Sequence, residues 1–136
     1  MAQTDLQTSV SKKSLWAGRI VSWLLALFLF LDGGMKVAKP AFVVEATMRL
    51  GFSENVIAPL GIVLITCTIL YLIPVTSVLG AILLTGYLGG AVATHVRVGQ
   101  EVFPIFFAGA FGVLLWFGLF LQDARLRVLI PLRSSR

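Results

Sequence analysis

Long apolar stretches, separated by short polar segments, dominate this chain. Four of them approach the roughly 20 residues that an α-helix needs to cross a bilayer, so each is predicted to be a membrane-spanning helix. The predicted spans are residues 15–38, 55–73, 75–96 and 102–121, with a polar tail at 1–14 and an interfacial tail at 122–136. The pattern therefore predicts a single all-α domain over residues 1–136, an integral membrane four-helix bundle.

The connections between the predicted spans differ in length. Pro74 lacks an N–H and restricts Ile73, which predicts a tight turn between the second and third spans. The first connection is longer and runs from Lys36 to Asn55. Pro40 can begin a helix there and Gly51 can end it, with an apolar stripe between them. This pattern predicts a short interfacial helix between the first and second spans.

The segment after the fourth span mixes arginines with aliphatic residues, reading DARLRVLIP from Asp123 to Pro131. Such a segment is suited to a membrane surface, where arginines reach the headgroups. We expect Leu126, Leu129 and Ile130 to lie in lipid, so that the segment anchors the bundle.

The distribution of basic residues predicts the orientation. Seven lysines and arginines lie on the side of the termini and four on the opposite side. By the positive-inside rule, both termini are predicted to face the cytoplasm of a bacterial inner membrane. The net charge of +5 has the same explanation, and no basic motif indicates nucleic-acid binding. The lipid bilayer is therefore the first expected partner.

The sequence contains no recognisable catalytic motif. Cys67 is the only cysteine and His95 the only histidine, which excludes an internal disulfide, a CxxC redox pair and a bis-histidine haem within one chain. A P-loop, a nucleophile elbow and an HExxH zinc motif are also absent. No metal site is predicted and no cofactor is evident, although the residues permit quinone binding.

Ionisable residues at the outer ends of the spans form the main candidate site. Asp32 and Lys36 are an i,i+4 pair at the end of the first span. The pair either neutralises itself near the headgroups or forms one wall of an outward-facing pocket.

The third span ends in the run TGYLGGAVATHVR, from Thr85 to Arg97. A helical projection places Tyr87 near Thr94, with His95 and Arg97 at the borders of a small-or-polar arc that we expect to face the bundle interior. The predicted ligand-binding set is therefore Asp32, Lys36, Tyr87, Thr94, His95 and Arg97. This set either binds an anionic headgroup, a quinone ring or a small acid, or forms a network that locks the bundle.

Small residues predict where helices pack closely. Gly86 and Gly90 form a GxxxG motif in the third span, and Gly109 and Gly112 lie in the fourth. All four are predicted to be helix-packing residues, either within the bundle or against another molecule.

Several of these segments together resemble the DoxX-like family of small four-span membrane proteins. They are the run Thr85–Gly99, the sequence DGGMK from Asp32 to Lys36, LGF at Leu50–Phe52, and Trp116 followed by LQDARLRVLIP. The resemblance covers roughly residues 17–131 and implies a four-helix bundle. Relatives are described as the membrane subunit of a thiosulfate:quinone oxidoreductase, or as partners in membrane-associated oxidative-stress complexes. The resemblance supplies no catalytic residue.

Three functional hypotheses follow. The first is a bundle that binds a small ligand or a partner protein at its outer end. The second is a quinone-linked oxidoreductase subunit, in which Tyr87, His95 and Arg97 bond the quinone carbonyls, Asp32 and Lys36 help move protons, and a partner redox subunit or a diffusible donor supplies electrons. The third is a non-catalytic assembly protein that pairs through Gly86 and Gly90, as a homo-oligomer or with another protein.

Overall fold

The computed structural model describes residues 10–99 and 102–129, and helices account for most of them. The α-helices in these residues are α1 (Lys12–Ala38), α2 (Ala41–Arg49), α3 (Ile57–Leu72), α4 (Ser77–Val98), α5 (Val102–Gln122) and α6 (Ala124–Leu129). A 3₁₀ turn at Glu54–Val56 leads directly into α3. No strand occurs in either described range, so the all-α prediction is confirmed.

Among the described residues, four helices are long and apolar enough to cross a membrane: α1, α3 with its 3₁₀ turn, α4 and α5. Their bounds lie within three residues of the predicted spans. Many large apolar side chains on these helices are exposed, among them Trp16, Ile62, Leu79 and Phe106. A surface of this kind is covered by a bilayer, not by water. The prediction of an integral membrane protein with four spans is confirmed, and the side on which the termini lie stays a prediction.

The four spans surround a shared core. α1 packs against α3 and α5, and α4 packs against the same two helices, so α1 and α4 occupy opposite corners of the bundle. Leucines from every span and one tyrosine form the centre of this core: Leu25, Leu29, Leu64, Tyr71, Leu84, Leu88, Leu115 and Leu119.

Two pairs of glycines allow α1 to approach both of its neighbours closely. A β-carbon on Gly18 would lie 2.7 Å from the carbonyl oxygen of Gly118 in α5. A β-carbon on Gly61 in α3 would lie 2.6 Å from the carbonyl oxygen of Gly33. Because real β-carbons do not approach carbonyl oxygens this closely, a side chain at either site would push the helices apart.

The turn between α3 and α4 depends on another glycine. α3 ends at Leu72 and α4 begins at Ser77, so Pro74 lies in a tight turn, as predicted. A β-carbon on Gly80 would overlap the backbone nitrogen and Cα of Tyr71. The first turn of α4 therefore packs directly on the backbone of the last turn of α3.

The glycines that were predicted to pack lie elsewhere. Gly86, Gly90, Gly109 and Gly112 have no described atom of another element within 4 Å of the position that a β-carbon would take. Within the described residues these four glycines therefore make no close helix contact. Contact between these glycines and another molecule stays a prediction.

A chain of buried hydrogen bonds joins α1, α3 and α5 near the termini. The Tyr71 hydroxyl donates to the carbonyl oxygen of Leu115 at 2.8 Å. Since that uses its only proton, Tyr71 accepts from the Ser22 hydroxyl at 2.9 Å. Ser22 Oγ in turn accepts from Gln122 Nε2 at 2.9 Å. The network satisfies these polar groups inside the apolar core, where an unpaired group would be costly.

α6 folds back onto the bundle, which corrects one prediction. Leu126 is buried in the core and does not lie in lipid. Arg127 donates from Nε to the carbonyl oxygen of Phe120 at 2.9 Å and from Nη2 to that of Leu121 at 3.1 Å, so it covers the end of α5. The helix breaks at Asp123 and turns the next residues inward. Leu129 is exposed, as expected, and Ile130 lies outside the described residues.

The predicted short helix between the first two spans is confirmed as α2. Pro40 is its N-cap residue, and Gly51, which follows its end, has a φ of 93° in the left-handed region. Arg97, near the end of α4, donates from Nη2 to the carbonyl oxygen of Leu50 at 3.1 Å. This bond fastens the end of α2 to the bundle.

Replacing Gly80 by alanine is expected to destabilise the protein, because the new methyl group meets backbone atoms that cannot rotate away. We expect a loss of about 1–3 kcal/mol in the free energy of unfolding, as in overpacked cores. Gly109→Ala is the matched control, since its methyl group enters open space. Denaturant unfolding of both variants in detergent provides the measurement, and equal stability would contradict the Gly80 contact.

Replacing Arg97 by glutamine is expected to loosen α2, because the bond to Leu50 is lost. The reporter is a cysteine at the buried position Thr47, in a Cys67→Ser background. We expect its rate of thiol labelling to rise about fivefold, the effect of a hydrogen bond of about 1 kcal/mol. Arg49→Gln is the control, because Arg49 forms no hydrogen bond within the described residues. Equal labelling in the two variants would show that Arg97 does not hold α2.

Candidate functional site

The Asp32–Lys36 pair lies at the end of α1 that adjoins α2. Lys36 Nζ donates to Asp32 Oδ2, which confirms that the two residues pair. The Lys36 side chain is only 16% exposed, whereas that of Asp32 is 37% exposed. A cation that is mostly buried in a membrane span requires an anionic partner, and Asp32 provides it.

The close crossing of α1 and α3 explains why Lys36 is buried. Besides the Gly33 carbonyl, the nearest atom to a β-carbon placed on Gly61 would be the Lys36 β-carbon, at 2.8 Å. The aliphatic stem of Lys36 therefore packs directly onto the glycine surface of α3. A larger residue at Gly61 would displace it.

Tyr87 lies on α4, at the opposite corner of the bundle from α1. Its ring is half-buried against the core, and its hydroxyl lies within electrostatic range of the Asp32 carboxylate. Tyr87 forms no hydrogen bond within the part of the chain that the structure describes. Because no buried side-chain oxygen there lacks a partner, the unpaired Tyr87 oxygen is not fully buried.

The other predicted site residues are engaged differently. The Thr94 hydroxyl donates to the carbonyl oxygen of Gly90 in its own helix, at 2.7 Å. Arg97 bonds to Leu50, as described above. His95 is half-buried in the last turn of α4. The structure therefore pairs Asp32 with Lys36 and leaves Tyr87 on α4 within electrostatic range of Asp32, while Thr94 and Arg97 bond to backbone carbonyls.

An aromatic cluster lies one helical turn from Asp32, toward the middle of the bundle. The ring of Phe28 is 5.4 Å from that of Phe107 and 4.9 Å from that of Phe111, centroid to centroid. Phe107 also contacts Phe103, at 5.8 Å. These rings give the α1–α5 side of this end of the bundle an apolar aromatic surface next to the ion pair.

A groove of about 650 Å³ lies between α4 and α5. Its lining is almost entirely apolar and includes Gly89, Gly109 and Gly112. At one end, Trp116 Nε1 donates to the Thr85 hydroxyl at 2.8 Å. The spacing of small residues predicts a helix-packing surface here. Spacing alone does not determine whether a helix of this bundle or another molecule packs on that surface.

Comparison with known proteins identifies the family. No curated protein and no solved structure matches the chain. Residues 20–118 match the sequence model of the DoxX-like family. The matched region extends through all four spans and contains Asp32, Lys36 and Tyr87. It makes up well over half of the chain, which therefore belongs to the DoxX-like family.

Proposed function

We propose that this integral membrane protein binds a small, polar-headed ligand at the outer end of its bundle, through Asp32, Lys36 and Tyr87. The observation that carries the proposal is the largely buried Lys36, paired with Asp32 in a span, with the unpaired Tyr87 hydroxyl within electrostatic range of Asp32. Ionisable groups inside a span are rare and usually mark a site of function. The proposal places the protein in the bacterial inner membrane with both termini in the cytoplasm, so that the site lies on the outer side.

The free hydrogen-bonding groups define the ligand chemistry. Lys36 uses one of its three N–H donors on Asp32, and Tyr87 retains its O–H. Asp32 accepts through Oδ2 and retains Oδ1. The site therefore offers more donors than acceptors and suits a ligand with carbonyl or carboxylate oxygens.

The phenylalanine cluster favours a quinone over a small acid. Phe28, Phe107 and Phe111 supply an aromatic surface for a planar ring, and Phe28 lies one helical turn from Asp32. In this version of the proposal, Lys36 and Tyr87 donate hydrogen bonds to the quinone oxygens, and His95 is a candidate third contact. Arg97 is not part of the site, because it donates to the Leu50 carbonyl at the end of α2. The protein would then serve as the quinone-binding membrane subunit of a redox pair, with electrons supplied by a partner subunit or a diffusible reductant.

Tyr87→Phe is expected to weaken binding of a short-chain benzoquinone analogue about tenfold, because one hydrogen bond of about 1.4 kcal/mol is lost while the ring is kept. Isothermal titration of the purified protein in detergent measures the affinity, with benzoate as the small-acid probe. Thr94→Val is the control, since that hydroxyl is already bonded to Gly90.

The two probes distinguish the ligand classes. Binding of the quinone analogue but not of benzoate supports the quinone version, and the reverse supports a small acid. If neither probe binds, or if Tyr87→Phe binds both as tightly as the wild type, the proposed site is wrong.

An assembly function stays a separate prediction for the face of α4 that carries Gly86 and Gly90. This face is favoured because no other element in residues 10–99 and 102–129 comes within 4 Å of the positions that their β-carbons would take. Small residues on an uncovered helix face allow a second transmembrane helix to approach closely.

If this face pairs, Gly86→Leu and Gly90→Leu are each expected to reduce cross-linking between chains in membranes by at least about tenfold, which corresponds to about 1.4 kcal/mol of pairing free energy. Gly89→Leu is the matched control, because Gly89 is equally open but lines the groove toward α5. Cross-linking that survives both substitutions would exclude this face as the interface.

A further inference from the structure

We propose a second binding site, at the end of the bundle near the termini, for the phosphate-bearing headgroup of an anionic phospholipid. A cavity of about 700 Å³ lies there, between the beginning of α1, the turn after α3, the end of α5 and α6. Polar and apolar surfaces contribute almost equally to its lining. The cavity is at the opposite end of the bundle from Asp32 and Lys36, so it is separate from the site proposed above.

The floor of the cavity presents a hydrogen-bond acceptor. Gln122 lines the cavity, and its Nε2 donates one proton to the carbonyl oxygen of Gly118 at 3.0 Å. The second proton of Nε2 is donated to the hydroxyl oxygen of Ser22. Gln122 Oε1 is left without a partner within residues 10–99 and 102–129, and it is not buried. It can accept a hydrogen bond from a ligand hydroxyl or N–H group.

The rim of the cavity carries an excess of positive charge. Arg125 lies 3.9 Å from Asp123, so these two lining residues largely neutralise each other. Arg19 also lines the cavity, and it makes no ion pair or hydrogen bond with any other described residue. An unpaired guanidinium beside a cavity is suited to a phosphate group, which it can bind through two parallel N–H bonds.

The apolar walls of the cavity and its level in the membrane indicate that the phosphate belongs to a lipid. Leu15, Trp23, Leu72 and Leu126 supply apolar walls. Trp16 and Trp23 are both exposed on the same stretch of α1 as Arg19, and tryptophans concentrate where headgroups meet acyl chains. Basic pockets between spans at this level are typical sites for anionic lipid headgroups.

The combination predicts selectivity among phospholipids. Phosphatidylglycerol carries a net negative charge for Arg19 and headgroup hydroxyls that can donate to Gln122 Oε1. Phosphatidylcholine has no net charge, and its headgroup has no donor. The site should therefore prefer phosphatidylglycerol.

Lipid retention by the full-length protein tests this proposal. The delipidated protein is mixed with equal amounts of phosphatidylglycerol and phosphatidylcholine in detergent, and bound lipid is counted by native mass spectrometry. We expect the wild type to retain phosphatidylglycerol about tenfold over phosphatidylcholine, and Arg19→Gln to lower that preference at least fivefold. Lys13→Gln is the matched control, since Lys13 is exposed on α1 but does not line the cavity.

A stability measurement checks the same site independently. A lipid that binds only the folded protein raises its unfolding temperature. Phosphatidylglycerol should therefore raise the unfolding temperature of the wild type and of Lys13→Gln, but raise that of Arg19→Gln much less. Equal effects of the two lipids, or equal losses in the two variants, would overturn the proposal, because they would indicate general surface attraction. Displacement of the lipid by millimolar inorganic phosphate would also overturn it, since the site would then take free phosphate.

Discussion

The close approach of α1 to α3 and α5 is the constraint on which the rest of the bundle depends. In a bilayer, the hydrophobic effect does not drive helices together, because lipid tails are as apolar as leucine side chains. Contact must come from close packing and from hydrogen bonds between helices. Gly18 with Gly118 and Gly33 with Gly61 provide the first. The Ser22, Tyr71 and Gln122 network provides the second.

Both polar regions of the protein follow from these crossings. At one end, the contact between Gly33 and Gly61 brings the stem of Lys36 onto α3, which leaves its ammonium group beside Asp32. At the other end, the contact between Gly18 and Gly118 brings α1 close enough for Ser22 to join the network with α5. Each crossing thus packs two helices and also sets the polar groups of a candidate binding site.

Local sequence was sufficient to predict the elements that are determined locally. Hydropathy predicted the spans, since a helix must satisfy its own backbone hydrogen bonds in lipid. Pro40 and Gly51 predicted α2, and the i,i+4 spacing predicted the Asp32–Lys36 pair. These features depend on neighbouring residues within one element, so one sequence is enough to find them.

The remaining features depend on which face of each helix points inward, and the sequence does not fix that. The GxxxG motif at Gly86 and Gly90 is the more conspicuous pattern, yet the glycines that pack, such as Gly18 and Gly118, belong to no GxxxG motif. The three residues of the buried network likewise come from three helices. The break at Asp123 decides that Leu126 turns inward, and a stretch of alternating arginines and leucines does not reveal that turn.

Arg97 and Arg127 each bond to the end of a helix, and both are also counted among the basic residues that predict the orientation. Arg97 bonds to a carbonyl at the end of α2, and Arg127 bonds to carbonyls at the end of α5. The last carbonyls of a helix lack partners within it, and a guanidinium with five donors is well suited to them. Arg97 and Arg127 are therefore needed at these positions whichever way the protein is inserted.

They lie on opposite sides, so excluding both leaves six basic residues against three. The predicted orientation therefore does not depend on these two arginines, and Arg19, which lines the cavity near the termini, is among the basic residues that remain.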